Sequence, residues 1–107
     1  DNDSLFGGTG NDSLSGDAGA DYLSADSGKD LMTGGAGADS FAFSAGCGQD
    51  TISDFSYSAG DRIMLQSGLT WTVADGTSGD AVLSLSSGDS ITLSGVSSTS
   101  VTSGWFG

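Results

Sequence analysis

The nonapeptide "GGTGNDSLS" at residues 7–15 returns in register along the first half of the chain. It is followed by "GDAGADYLS" (16–24), "ADSGKDLMT" (25–33) and "GGAGADSFA" (34–42). A truncated unit, "DNDSLF" (1–6), precedes these, and a degenerate one, "AGCGQDTIS" (45–53), follows after an insertion at Phe43 and Ser44. The sixth position is aspartate each time: Asp3, Asp12, Asp21, Asp30, Asp39 and Asp50. The eighth is large and apolar: Leu5, Leu14, Leu23, Met32, Phe41 and Ile52. The three residues around each apolar position suit a very short strand whose central side chain points inward. The remaining six must turn the chain sharply, and glycine permits the positive φ that such a turn needs. Two units then make one turn of a flattened coil, so that residues 18 apart stack.

The pattern G-G-x-G-x-D-x-U-x, with U apolar, resembles the RTX (repeats-in-toxin) calcium-binding nonapeptide over residues 1–53. The resemblance implies an all-β fold: a right-handed parallel β-roll over 1–53, then a small antiparallel cap over 54–107, together one continuous domain. It also implies two to four Ca2+ between loops of successive turns. The side chains of Asp3, Asp12, Asp21, Asp30, Asp39 and Asp50 are the expected carboxylate ligands. The expected loop oxygens are those of Gly7, Gly8, Thr9 and Gly10; Gly16, Asp17, Ala18 and Gly19; Ala25, Asp26, Ser27 and Gly28; and Gly34, Gly35, Ala36 and Gly37. Loop 7–12 pairs with 25–30 and loop 16–21 with 34–39, whereas the end positions at Asp3 and Asp50 depart from the regular pattern. Ala25 replaces the first glycine of its unit. Asp17 and Asp26, at the second position, are expected to give backbone oxygen and surface charge rather than a side-chain ligand.

The chemistry of these residues points the same way. Calcium takes six to eight oxygen ligands in flexible geometry, which suits carbonyls mixed with carboxylates. Zinc prefers histidine or cysteine, and the 107-residue chain has no histidine and a single cysteine. All 14 acidic residues are aspartate, against two basic residues, for a net charge of −12. Such a chain repels itself unless a cation binds, and it lacks the basic footprint that nucleic acid or an anionic membrane requires. No apolar run approaches the length needed to cross a bilayer. The opening "DNDSLFGG" is no secretory leader; it begins in mid-repeat, as a piece of a larger protein would. The lone Cys47 excludes an internal disulfide and reads as a tolerated loop substitution.

From Asp54 onward the repeat stops. "DFSYSAGDRIML" (54–65) resembles the segment that follows the last repeats in RTX proteins exported by type I systems. "LTWTVA" (69–74), "AVLSLS" (81–86) and "SITLSGV" (90–96) alternate apolar and polar residues between the turns "DGTSGD" and "SGD", as half-buried antiparallel strands do. The ending, with Trp105 and Phe106, resembles a type I secretion target region and also suits a plug for the cap. The resulting expectation is a secreted or cell-surface calcium-dependent module whose partner is a type I secretion apparatus. A glycan-binding accessory role and a surface-layer or adhesin assembly role are the alternatives. Tyr22 is an aromatic on a repeat position outside the core positions, and an anionic glycan is disfavoured by charge. With no histidine, no glutamate and no nucleophile motif, the chain has no catalytic constellation.

Overall fold

A computed structural model describes residues 3–76 and 79–106. Asp1 and Asn2 of the truncated unit, Thr77 and Ser78 of the 75–80 turn, and Gly107 of the tail lie outside the described residues. Each regular unit forms one short strand centred on its apolar residue: β1 (Ser4–Phe6), β2 (Ser13–Ser15), β3 (Tyr22–Ser24) and β4 (Leu31–Thr33). The insertion lengthens β5 to Ser40–Phe43, and β6 spans Gln49–Ile52. Then come β7 (Arg62–Leu65), β8 (Trp71–Asp75), β9 (Ala81–Leu85) and β10 (Ser90–Leu93).

Strands of alternate units pair in parallel, giving one sheet in the order β1-β3-β5-β7 and a second in the order β2-β4-β6-β10-β9-β8. Their register aligns Leu5, Leu23, Phe41 and Ile63 in one column. Leu14, Met32, Ile52 and Leu93 form the other. Leu23, Met32, Phe41, Ile52, Ile63 and Leu93 are all fully buried. A three-residue strand cannot stand alone; stacking buries each large side chain against the next, at roughly 1.5–3 kcal/mol apiece.

Parallel pairing runs past residue 53. β7 adds to β5 and β10 adds to β6, both parallel, and only β8, β9 and β10 pair antiparallel among themselves. The reason is local: "DRI" at 61–63 repeats the D-x-U phase of the nonapeptide. "DSI" at 89–91 repeats it too, but β10 sits two residues further along, so that Leu93 rather than Ile91 faces Ile52. Cys47 lies in the loop between β5 and β6, as the sequence implies. It is buried in the core at 1% exposure, and burial first, with the Asp50 and Asp89 carboxylates second, pushes its thiol up to about 12.

The chain end seals the open side of the coil. The Trp105 ring stacks on Phe55 at 5.1 Å and on Tyr57 at 5.6 Å, and Phe55 contacts Phe41 at 6.0 Å. The Arg62 guanidinium lies over the Tyr57 ring at 4.3 Å. Phe106 bridges to Ile63 on β7 and stacks on Trp71 at 4.3 Å. Removing so large a buried ring leaves a cavity that the sheets cannot close. Trp105→Ala should therefore lower unfolding stability by roughly 3–5 kcal/mol in chemical denaturation; a loss below about 1 kcal/mol would show that the plug carries little of the fold.

Candidate metal centre

The sixth-position aspartates form two hydrogen-bonded ladders along the coil. Asp3 N–H donates to Asp21 Oδ1 at 2.7 Å, and Asp21 N–H to Asp39 Oδ1 at 2.9 Å. In the second ladder Asp12 N–H donates to Asp30 Oδ1 at 2.8 Å, and Asp30 N–H to Asp50 Oδ1 at 2.9 Å. Each aspartate carbonyl in turn accepts from the residue after the next aspartate, as Asp12 does from Leu31 at 2.9 Å and Asp21 from Ser40 at 2.8 Å. These bonds hold the carboxylates in place and bury them: Asp21, Asp30, Asp39 and Asp50 are each at most 2% exposed.

The ladder uses only one oxygen of each carboxylate. Oδ2 of Asp12, Asp21, Asp30, Asp39 and Asp50 is buried without a hydrogen-bond partner. An unpartnered buried polar atom costs about 1–3 kcal/mol, and more when charged. Against a total stability of roughly 5–15 kcal/mol, five such atoms demand protons or a cation.

The loops bring further oxygens to the same gaps. A Cβ built on Gly7 would stand 2.7 Å from the Ala25 carbonyl oxygen and 3.3 Å from Asp12 Oδ2. One on Gly16 would meet the Gly34 carbonyl oxygen at 2.8 Å and collide with Asp21 Oδ2. At Gly34 it would collide with Asp39 Oδ2, at Gly28 with the Gly10 carbonyl, at Gly35 with that of Asp17, and at Gly37 with that of Gly19. Glycine is thus required where oxygens of neighbouring turns crowd together. Thr9, Ala18, Ser27 and Ala36 lie at the bends of these loops. The carbonyls of Gly8 and Ala36 accept from Ser27 at 3.2 Å and Gly19 at 3.0 Å. Among the described residues no three carboxylates or thiols converge on one point, so a cation held here draws most of its ligands from backbone carbonyls. A hard oxygen-seeking ion fits that donor set, and a thiolate-seeking one does not.

Asp17 and Asp26 occupy the left-handed region at φ 65° and 56°, where other units have glycine. Asp17 Oδ1 accepts from the Ser15 hydroxyl at 3.3 Å, and Asp26 Oδ2 from Gly8 N–H at 3.0 Å. Asp3 is exposed at the edge of the first ladder. Three carboxylates escaped the repeat reading. Asp61 lies in the first ladder beyond Asp39, and Asp54 and Asp89 accept amides of the last loops. The shared D-x-U spacing of "DRI" and "DSI" was the available signal for two of them.

A family model described as the RTX calcium-binding nonapeptide repeat matches residues 1–32 and 18–46. Residues 1–46 are RTX repeats. No curated protein sequence matches the chain. Among solved structures, the chain is similar to the AlgE6R3 subunit of the Azotobacter vinelandii mannuronan C5-epimerase, at 25% identity and a TM-score of 0.67. That match covers 100% of this chain and 78% of the other. The extracellular lipase LipA of Serratia marcescens shares the fold, at 24% identity and a TM-score of 0.66, over 91% of this chain and 19% of the lipase. RTX modules of this β-roll type bind calcium and occur in secreted proteins. No helix among the described residues is long and apolar enough to cross a membrane.

The metal-free carboxylates have a defined response to pH. Burial, then the charges of Asp61, Asp21 and Asp54, raises Asp39 to about 6 against the opposing Asp21 N–H bond. Burial, then the Asp30 and Asp89 charges, raises Asp50 to about 7 against the Asp30 N–H bond. A carboxyl whose folded value is raised favours the fold in acid, and that contribution is lost as pH rises through 6 and then 7. A cation held by these carboxylates would compete with those protons. In chelator, β structure followed by circular dichroism should strengthen as pH falls from about 7.5 to about 5, while the calcium concentration needed for half-saturation rises. Opposite slopes would contradict the burial of these groups.

Proposed function

We propose that the chain is a calcium-driven folding module that serves the secretion and stabilisation of a larger exported protein. The observation that carries this reading is the set of five buried Oδ2 atoms without partners, of which those of Asp12, Asp21 and Asp39 lie against the loop glycines Gly7, Gly16 and Gly34. Loop 7–10 with Asp12 would hold calcium together with loop 25–28 and Asp30. Loop 16–19 with Asp21 would do so with loop 34–37 and Asp39. Asp3 and Asp50 stand at the ends of the two columns. Bound calcium supplies a positive charge and a partner for each unpaired oxygen. Two to four such ions would offset between four and eight units of the net charge of −12.

The residues do the rest. The ladder fixes each carboxylate, the glycines admit the carbonyls, and stacked apolar residues give the coil its interior. Without calcium the converging carboxylates oppose the fold, so the chain stays largely unfolded at cytosolic calcium. An unfolded chain can be threaded through a type I secretion apparatus, and it folds on meeting millimolar calcium outside the cell. The cap then covers Phe41, Phe43 and Ile52, which a bare coil would leave at its open end. Residues 1–53 are the roll and 54–107 the capping and secretion-signal region in this reading.

The assignment of ligands is tested by comparing two aspartates of equal charge. Asp21→Asn removes a buried carboxylate of the ladder, whereas Asp17→Asn alters an exposed turn residue in a conformation that asparagine accepts. Calorimetric titration should show calcium binding weakened about tenfold or more by Asp21→Asn and by less than about twofold by Asp17→Asn. Equal weakening would overturn the ligand phase, and elemental analysis finding zinc or no metal would overturn the calcium reading.

A further inference from the structure

We propose that Asp54, Asp61 and Asp89 are positioning residues that terminate the two ion columns, standing in for the turn that would otherwise follow. The inference rests on the calcium reading above and adds residues to it that are not ligands. Within the coil, the amides of each loop bond to the next turn. The first-position N–H of Gly7 and of Gly16 reach the carbonyls of Ser24 and Thr33, both at 2.9 Å. The second-position N–H of Gly8 reaches Asp26 Oδ2 at 3.0 Å. The fourth-position N–H of Gly19 reaches the Ala36 carbonyl at 3.0 Å.

Loops 34–37 and 45–48 are the last of their columns, and side chains from the cap meet the same amides. Asp54 accepts from first-position Gly34 at 2.9 Å and second-position Gly35 at 2.8 Å. Asp89 accepts from second-position Gly46 at 2.8 Å and fourth-position Gly48 at 2.9 Å. Asp61 Oδ1 takes the ladder N–H of Asp39 at 2.8 Å. The decisive contrast lies in the second oxygen. In Asp12, Asp21, Asp30, Asp39 and Asp50 it has no partner, but in Asp61 it accepts Ser56 N–H at 2.9 Å. Asp61 continues the ladder with both of its oxygens hydrogen-bonded by the protein.

The influence of Asp54 on the adjoining site passes through one peptide unit. N–H of Gly35 and C=O of Gly34 belong to the same rigid trans plane and point in opposite directions. Anchoring that N–H on Asp54 therefore aims the Gly34 carbonyl back toward the preceding turn. There its oxygen crowds Gly16 beside Asp21 Oδ2. Asp54 thus sets the direction of a candidate ligand while lying outside the site itself.

The full chain tests this in three variants: Asp54→Ala, Asp54→Asn and Asp75→Asn. Asp75 is exposed on β8, so its variant controls for the change in net charge. Calcium titrations followed by circular dichroism should show the midpoint raised about tenfold in Asp54→Ala, partly restored in Asp54→Asn, which keeps an acceptor, and within about twofold of wild type in Asp75→Asn. At saturating calcium, amide exchange should accelerate at Gly34 and Gly35 in Asp54→Ala but not at Gly7 or Gly16. If the alanine variant does not fold at any calcium concentration, the asparagine variant carries the comparison, and a midpoint equal to wild type overturns the proposal. Asp54 and Asp75 variants that shift alike also overturn it, because net charge then accounts for the effect. A wild-type chain with no response to calcium overturns the calcium reading and this inference together; a responsive wild type beside Asp54 variants with unshifted midpoints overturns this inference alone.

Discussion

A carboxylate that is buried, fixed by one oxygen and unpartnered at the other is the constraint on which this fold turns. Hydrogen bonding along the ladder requires Asp21, Asp30, Asp39 and Asp50 to sit inside, 2% exposed or less. Electrostatics resists that placement, since the chain carries only Lys29 and Arg62 as counter-charges. The apolar columns favour stacking, and the carboxylate columns oppose it until their charge is met. A cation that bound the folded form alone would tip this balance, because its binding energy would become folding energy.

The coil was legible because it repeats. A nine-residue period puts Asp39 and Phe41 in the same relation as Asp21 and Leu23, so one reading serves every turn. The glycines were legible as turn residues, but the atoms that Gly7, Gly28, Gly35 and Gly37 make room for belong to a neighbouring turn, 18 residues away. The burial of Cys47 escaped the local pattern for a related reason. Its counterparts Thr9, Ala18, Ser27 and Ala36 are exposed, yet Cys47 is covered where Asp89 docks onto Gly46 and Gly48. Local pattern carries no trace of such a contact from 40 residues downstream.

The cap shows how a repeat can end without a free edge on its last loops. Asp61 keeps the phase of the ladder while Ser56 occupies its spare oxygen. β10 serves two partners, parallel to β6 and antiparallel to β9, and so converts one kind of sheet into the other. Hydrogen bonds from Ser87, Gly46 and Gly48 outweigh the burial of Asp89 and hold its carboxyl below the usual range. That carboxylate is already satisfied by the protein, unlike those in the ladders. Terminal and interior aspartates therefore differ in what they need from solution, although the sequence writes them with the same letter.

The central claim is that the folded ladder requires a cation at neutral pH. Far-ultraviolet circular dichroism of the full chain, recorded in chelator and then with added calcium or magnesium, tests it most directly. The account predicts loss of the β signal in chelator and its cooperative return with calcium but not with magnesium, which keeps its own waters and demands a tighter octahedron. A β signal that persists unchanged in chelator at neutral pH would contradict it.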